Sequence, residues 1–385
     1  MQKYIYALLL LFLPMTVLAA PEQKPEVAAF FSGQFPMIMY AIPATDANFK
    51  AAKSMGIDYV HLYGLSERTA DAAAFERVQN YLDLAHQHGL KVMFDLDGGG
   101  KVPQDALEDM RSVVRRFKDH PALGFWYLFD EPDNHNVTVT QMEPFYAMLK
   151  EETPQIPVAV CHAWTKNWTR YTGVQDILIH DTYPVTGIPF PDASLNTQTL
   201  FTEGSLRFSN YSIPALQFFN WRSYAKPGQT ELRNSPVSEL RYPNAEEIRY
   251  LNYSTIAQGV RGLAYFSYLR SMTPDATWVT HTATPALREV REFTNIIKNG
   301  FEFQRFRDVD KDQLIFSVWN KLDKNYIVLV NASSQKRSVS LEREVLSGKN
   351  WKAWGKTRAE GINISGKTIT ITEIKPWEVL IWENS

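Results

Sequence analysis

An aromatic, apolar run that stops at two adjacent carboxylates and a proline, Gly124-Phe125-Trp126-Tyr127-Leu128-Phe129-Asp130-Glu131-Pro132, is the stretch of this chain best suited to chemistry. So many apolar residues in succession favour a buried strand. Two acids at its end then need either solvent or a task. A carboxyl that donates a proton must keep it at working pH, which partial burial or a neighbouring negative charge achieves. Asp130 supplies the charge and the aromatic strand the low dielectric, so Glu131 is expected to act as a general acid/base. The structural alternative is an ion pair at a strand end.

Other polar and aromatic residues recur where apolar stretches end. They are Tyr40, then His61 and Tyr63, Asp95 and Asp97, His162 and Trp164, His180, Asp181 and Tyr183, Gln217, Asn220 and Trp221, and finally Tyr265 and Tyr268. Carboxylates that exchange protons, polar groups that orient hydroxyls and flat rings that stack on a sugar are what cleavage of a glycosidic bond requires. Glu131, Asp130 and Asp181 are accordingly the expected catalytic residues. Tyr40, His61, Tyr63, Asp97, His162, His180, Tyr183, Gln217, Asn220, Trp221 and Tyr268 are the expected sugar-binding ones. Asp181 also has the competing reading of a structural acid that holds a loop. The histidines show no H-E-x-x-H or other tight ligand spacing, so they are read as hydrogen-bonding residues and no metal or cofactor is expected. No G-x-S-x-G nucleophile elbow is present.

These residues need a scaffold that brings them together. From about Pro36 to Phe303, strand-like and helix-like stretches alternate. Strands are expected at 35–43, 57–63, 90–96, 123–129, 156–161, 177–180, 213–219 and 262–268. Helices are expected at 46–55 with Asp46 as cap, 70–87, 104–118, 140–152, around Leu200, 245–258 and 285–298. Eight such units in roughly 270 residues have the count and size of a (β/α)8 barrel, whose catalytic groups sit at the C-terminal ends of the strands. A doubly wound open sheet would carry a Gly-rich loop after strand one, where Tyr40-Ala41-Ile42-Pro43 stands instead. The Gly98-Gly99-Gly100 triplet after strand three lacks the G-x-G-x-x-G spacing and reads as a loop at the barrel mouth. From Gln304 the pattern changes to period two, with short strands expected at 314–319, 326–331, 338–341, 368–372 and 379–382. The expected organisation is a signal peptide at 1–19, a barrel at 20–303 and a small antiparallel β-sandwich at 304–385. Trp351 and Trp354 give the sandwich an optional sugar-binding role beside its packing role.

Composition and address agree. The chain has 385 residues, 45% hydrophobic and 21% charged, enough to bury a large core. A net charge of -2 argues against a nucleic-acid partner, and the 10 Trp and 18 Tyr favour a carbohydrate one. Lys3 followed by the apolar run from Ala7 to Leu18 and by Val17-Leu18-Ala19 reads as a secretory signal cleaved after Ala19, too short to span a membrane comfortably. The mature chain is therefore expected in the periplasm or outside the cell, with no stable membrane insertion. Cys161 is the only cysteine, so no internal disulfide is possible.

The stretch from about Phe35 to Asn299 resembles the large clan of barrel glycoside hydrolases whose acid/base Glu ends strand four. The matching pieces are His120-Pro121, Phe125-Trp126-Tyr127 and Asp130-Glu131-Pro132, then Asp181-Thr182-Tyr183-Pro184, which is similar to the strand-six ending of β-galactosidase-like members, and Gln258-Gly259-Val260-Arg261-Gly262 before strand eight. The resemblance implies hydrolysis of O-glycosidic bonds in an oligo- or polysaccharide. It also implies a nucleophilic Glu at the end of strand seven, and there this chain departs: Pro214-Ala215-Leu216-Gln217-Phe218-Phe219-Asn220-Trp221 has no carboxylate. Three explanations stay open. The second acid comes from another strand, with Asp181, Asp97 or Asp95 as candidates. Alternatively, the Asp130-Glu131 pair works with the substrate's own acetamido group, as in the β-N-acetylhexosaminidases it is similar to. Or the barrel binds carbohydrate without cleaving it.

Overall fold

The computed structural model describes residues 25–65, 72–96, 106–209, 211–298, 300–322 and 324–384. The signal segment, Asp97 and the glycine triplet lie outside the described residues.

Eight parallel strands close into a barrel: β1 Met37–Met39, β2 Tyr59–Val60, β3 Lys91–Asp95, β4 Leu123–Asp130, β5 Val158–His162, β6 Ile177–Thr182, β7 Ala215–Gln217 and β8 Leu263–Phe266. Neighbours run in chain order around the ring, and β8 closes on β1 with Met37 opposite Leu263 and Met39 opposite Tyr265. The expected (β/α)8 barrel is therefore the fold. Its strands are apolar along nearly their whole length because a barrel strand is covered by helices outside and by layered side chains inside. β4 shows this most plainly: every residue from Leu123 to Phe129 is buried. Several strands are shorter than the apolar runs that announce them. β1 occupies the middle of the expected 35–43, and β7 the middle of 213–219. Strand tilt in a closed barrel limits how many residues of one strand pair with the next, and the left-handed Ala41 (φ 52°) turns the chain away just past β1.

The outer helices form where their caps direct. Asp46–Ser54 is capped by Thr45, whose side chain accepts from the Asn48 N–H, rather than by Asp46. Capping boxes, Thr138 with Gln141 and Asn244 with Glu247, start Val139–Glu152 and Ala245–Ile256. Ala72–Gln87, Leu107–Phe117, Asn196–Phe208 and Thr284–Ile297 complete the set of longer outer helices. Among the described residues no helix is long and apolar enough to cross a membrane.

The last part of the chain forms two antiparallel sheets from β9 Glu302–Phe306, β10 Leu314–Lys321, β11 Lys324–Asn331, β12 Arg337–Glu342, β13 Trp351–Ala353, β14 Ile362–Ser365, β15 Thr368–Ile374 and β16 Val379–Asn384. The five-stranded sheet has the order β9-β10-β11-β16-β13 and the three-stranded one β12-β15-β14. Phe316, Val318, Leu329, Ile369, Ile371 and Trp382 fill the space between them. The other face of the larger sheet, with Trp319, Tyr326, Val328 and Ile381, joins the barrel's own core. Trp354 packs on Phe293 of helix Thr284–Ile297 with ring centroids 5.2 Å apart, and the Trp351 indole donates to the Leu346 carbonyl. Both tryptophans of the optional sugar platform thus serve packing.

Candidate active site

A cleft of about 280 Å³ opens at the C-terminal ends of the barrel strands, lined by Tyr40, Tyr63, Asp130, Glu131, Cys161, Asp181, Tyr183, Ala215, Phe219, Trp221, Tyr224, Arg233 and Phe266. Three acids from two strands meet there. Asp130 is the last residue of β4, and the Tyr127 hydroxyl donates to its Oδ1 at 2.5 Å. In an extended strand the next residue would point to the opposite face. Glu131 instead adopts a left-handed backbone (φ 47°), which lets two consecutive carboxylates reach one cleft. That conformation costs a non-glycine residue roughly 1–3 kcal/mol, strain of the kind that collects at functional sites. It is held by the Glu131 N–H donating to the Cys161 carbonyl at 3.0 Å and by Asn134 and His135 N–H groups donating to the Glu131 carbonyl at 2.9 and 3.1 Å. Asn134 Nδ2 donates to Glu131 Oε2 at 2.8 Å and fixes the side chain.

Asp181 enters from β6. Burial first, then the nearby charge of Glu131, hold the Asp181 carboxyl well above the usual carboxylate range. Asp181 is therefore held protonated, because neighbouring carboxyls in a buried cleft cannot all ionise cheaply. Its Oδ1 has no hydrogen-bond partner. The surrounding hydroxyls of Tyr40, Tyr63, Tyr127 and Tyr183 are all pushed well above the ordinary tyrosine value, by burial before the nearby acids, and stay protonated donors.

Of the residues singled out in the sequence, Tyr40, Tyr63, Asp130, Glu131, Asp181, Tyr183 and Trp221 come together in the cleft. Six of the expected sugar-binding residues that are described do not line it. His61 is fully buried beneath it among Tyr40, Tyr63 and Tyr127 (centroids 4.7, 4.4 and 5.1 Å), neither ring nitrogen has a partner, and burial pushes its pKa down to about 3. His180 precedes Asp181, so the strand's alternation turns it outward against Trp168 (5.6 Å), where burial again lowers its pKa to about 3. His162 faces outward for the same reason and its ring nitrogen pairs with Gln175 at 2.8 Å. Gln217 commits its amide to the backbone: Nε2 donates to the Val185 and Phe219 carbonyls at 2.8 and 3.1 Å, and Oε1 accepts from the Val185 N–H at 2.8 Å. Asn220 caps the turn Trp221–Tyr224, and Tyr268 donates to Asn48. Asp95 is likewise structural, accepting from the Gly64 N–H at 2.7 Å. Asp97 is outside the described residues.

Sequence reasoning missed Cys161, Phe219, Tyr224, Arg233 and Phe266. Alternation was the available signal for Cys161: if His162 faces out, its predecessor faces in. Arg233 comes from the 220–244 loop, which folds over the mouth as a small hairpin, Glu231–Leu232 with Ser235–Pro236. Glu231 and Glu239 in that loop are exposed. The strand-seven side gives the cleft Ala215, Phe219 and Trp221 and no acid. Among the described residues no three His, Cys, Asp or Glu side chains are grouped to hold a metal.

No protein-family model matches the sequence, and no curated protein matches it. Solved structures do match across nearly the whole chain. The α-amylase of Geobacillus thermoleovorans in complex with acarbose superposes with a TM-score of 0.55 at 9% identity, covering 92% of this chain and 99% of that one. Amy13B of Eubacterium rectale gives a TM-score of 0.58 at 7% identity over 92% and 96%. A debranching enzyme of Nostoc punctiforme gives 0.53 at 10% over 92% and 98%. At such identities the likeness establishes the fold: an amylase-like (β/α)8 barrel followed by C-terminal antiparallel sheets.

Proposed function

We propose that the protein is a glycoside hydrolase that cleaves O-glycosidic bonds of an oligo- or polysaccharide, with Glu131 and Asp181 as its catalytic pair. The observation that carries this reading is the convergence of Glu131, Asp130 and Asp181, from the ends of β4 and β6, in one aromatic cleft at the C-terminal mouth of the barrel. In the free protein Asp181 holds its proton. When a glycosidic oxygen enters beside Glu131, the proton passes from Asp181 to Glu131, so that Glu131 protonates the leaving oxygen and the ionised Asp181 attacks the anomeric carbon. Water then hydrolyses the glycosyl-enzyme ester with Glu131 as base, returning the proton to the pair. Retaining enzymes hold their carboxyls about 5–5.5 Å apart and inverting ones about 6.5–9.5 Å. The configuration of the released sugar distinguishes the two. The neighbours add support from their own substrates and names, since the set includes α-amylases, one with bound acarbose, and a debranching enzyme.

Asp130 supports a second reading. Held by Tyr127, it is oriented as the acid that would steer a substrate acetamido group toward the anomeric carbon, and the cleft's strand-seven side offers no competing nucleophile. One experiment addresses both. Aryl glycosides with and without an N-acetyl group, together with soluble polysaccharides, are offered to wild type, Glu131→Gln and Asp181→Asn. Loss of about 10²–10⁴ in kcat is expected for Glu131→Gln with poor leaving groups, and much less with a dinitrophenyl group that needs no protonation. Asp181→Asn is expected to stay inactive with both. Activity of Asp181→Asn confined to N-acetylated substrates would transfer the reaction to Asp130, and full activity of Glu131→Gln would refute either scheme. We place the mature enzyme outside the cytoplasm on the strength of its N-terminal segment; sequencing the exported protein should find it beginning at Ala20.

A further inference from the structure

Arginines of this molecule usually find a carboxylate. Arg111 pairs with Glu152, Arg241 with Glu247, Arg249 with Glu289 and Arg358 with Glu378. Arg233 is different. It stands at the tip of the hairpin over the cleft, exposed, and with Asn234 it forms a two-residue turn in which both residues are left-handed (φ 55° and 57°). This is the primed turn that matches strand twist and holds a hairpin tip in one place. The guanidinium lies 4.0 Å from the Trp221 ring centroid, and among the described residues no carboxylate pairs with it. Trp221 is a fixed plate: its indole N–H donates to the Tyr183 carbonyl at 3.2 Å and its ring meets Phe219 at 4.9 Å. Next to it, Arg270 lies 4.3 Å from the centroid of Tyr224, a second cleft-lining ring, and donates to the Ser223 carbonyl rather than to an acid.

Stacking on a ring takes one face of a guanidinium and leaves its fork of N–H donors available to an oxyanion. The position gives that fork a purpose. The rest of the cleft presents Asp130 and Glu131, which would repel a negatively charged sugar. A cation held on Trp221 at the mouth removes the penalty at one place only. We propose that Arg233, backed by Trp221 and flanked by Arg270, is the specificity determinant for a sugar that carries an oxyanion substituent, a uronic-acid carboxylate or a sulfate ester. This rests on the glycosidase reading of the same cleft and names its substrate class.

Binding to the full-length mature protein tests it separately from turnover. Trigalacturonic acid, a trisaccharide bearing one sulfate ester and maltotriose are titrated into wild type, Arg233→Gln and Arg233→Lys at low and moderate salt. At least one anionic ligand is expected to bind wild type about tenfold or more tighter than maltotriose. Charge-assisted hydrogen bonds typically contribute such a factor. Arg233→Gln should lower that affinity about 10–100-fold and affect maltotriose far less. Arg233→Lys, which keeps charge but not the fork, should recover part of it, and added salt should narrow the gap. Preference for the uronate or the sulfate identifies the oxyanion. Tighter binding of maltotriose, equal losses for neutral and anionic ligands in Arg233→Gln, or no binding of any of the three would each overturn the proposal. Anion-selective, Arg233-dependent binding without hydrolysis of any bound ligand would keep it and defeat the hydrolase reading instead.

Discussion

At the scale of single residues, the site is governed by the proton that buried Asp181 keeps, and that proton has a consequence for stability. An unfolded Asp titrates near 3.9. In the folded protein burial and Glu131 raise the Asp181 carboxyl well above that value. Between the two values the native state binds more protons than the unfolded one, so stability falls as pH rises. What protonated Asp181 contributes is complete below the unfolded value and is lost as pH climbs through the native one. Asparagine cannot ionise and fills the same space. Asp181→Asn should therefore melt above wild type at pH 7, by about 1–3 °C for a chain of this size, with the gap closing toward pH 4. Calorimetric scans from pH 4 to 8 check this. A variant less stable than wild type at neutral pH, or a gap indifferent to pH, would show that the native state does not hold Asp181 protonated.

At the scale of elements, β7 and the loop after it decide how the cleft differs from that of a barrel with two Glu residues on strands four and seven. Gln217 occupies the end of β7 at 3% exposure and ties the chain to Val185 and Phe219. Gln217→Glu would remove the donor from two buried carbonyls and set a carboxylate against them. Unsatisfied buried groups cost about 1–3 kcal/mol each, and more when charged. The variant should lose at least about 2 kcal/mol in urea unfolding and gain no turnover. An active, fully stable Gln217→Glu would show instead that β7 holds a vacant nucleophile position. The same element marks how far the sequence could be read. Apolar runs announced all eight strands, because barrel strands are buried on both faces, and the acids at the ends of β4 and β6 stood out against them. What the runs could not show is which face a strand-end residue takes. His180 and Asp181 are adjacent and polar alike, yet only Asp181 opens into the cleft. Glu131 reaches it through its own left-handed backbone, which no propensity foretells, and Arg233 arrives on a hairpin sixteen residues past Gln217, the end of β7. The antiparallel strands β9 and β13 went unread because their charged, short segments carry little period-two contrast, and β14, Ile-Asn-Ile-Ser, alternates over only four residues.

At the scale of the whole molecule, the barrel and the C-terminal sheets share one interior. The larger sheet is apolar on both faces, one turned to the smaller sheet and one to helices Ala245–Ile256 and Thr284–Ile297. Phe293 is central to that second contact, meeting Trp319, Tyr326 and Trp354 with ring centroids 5.6, 5.9 and 5.2 Å apart and Tyr253 at 5.5 Å. Tyr250 packs on Trp377 at 4.9 Å nearby, and Arg249 bridges Glu289 and the Val379 carbonyl. A sheet buried on both faces cannot leave the barrel without exposing its inner aromatics, so the two parts should unfold together. Phe293→Ala removes the ring on which three of those aromatics converge, at a cost of about 3–5 kcal/mol. Because Phe293 does not line the cleft, the folded variant should retain its substrate turnover at low temperature. Its melting, followed by both tryptophan fluorescence and far-UV circular dichroism, should separate into two transitions where wild type shows one. Two transitions already present in the wild-type protein would mean that the sheets are held to the barrel by less than this packing implies, and that the cleft-bearing barrel is stable without them.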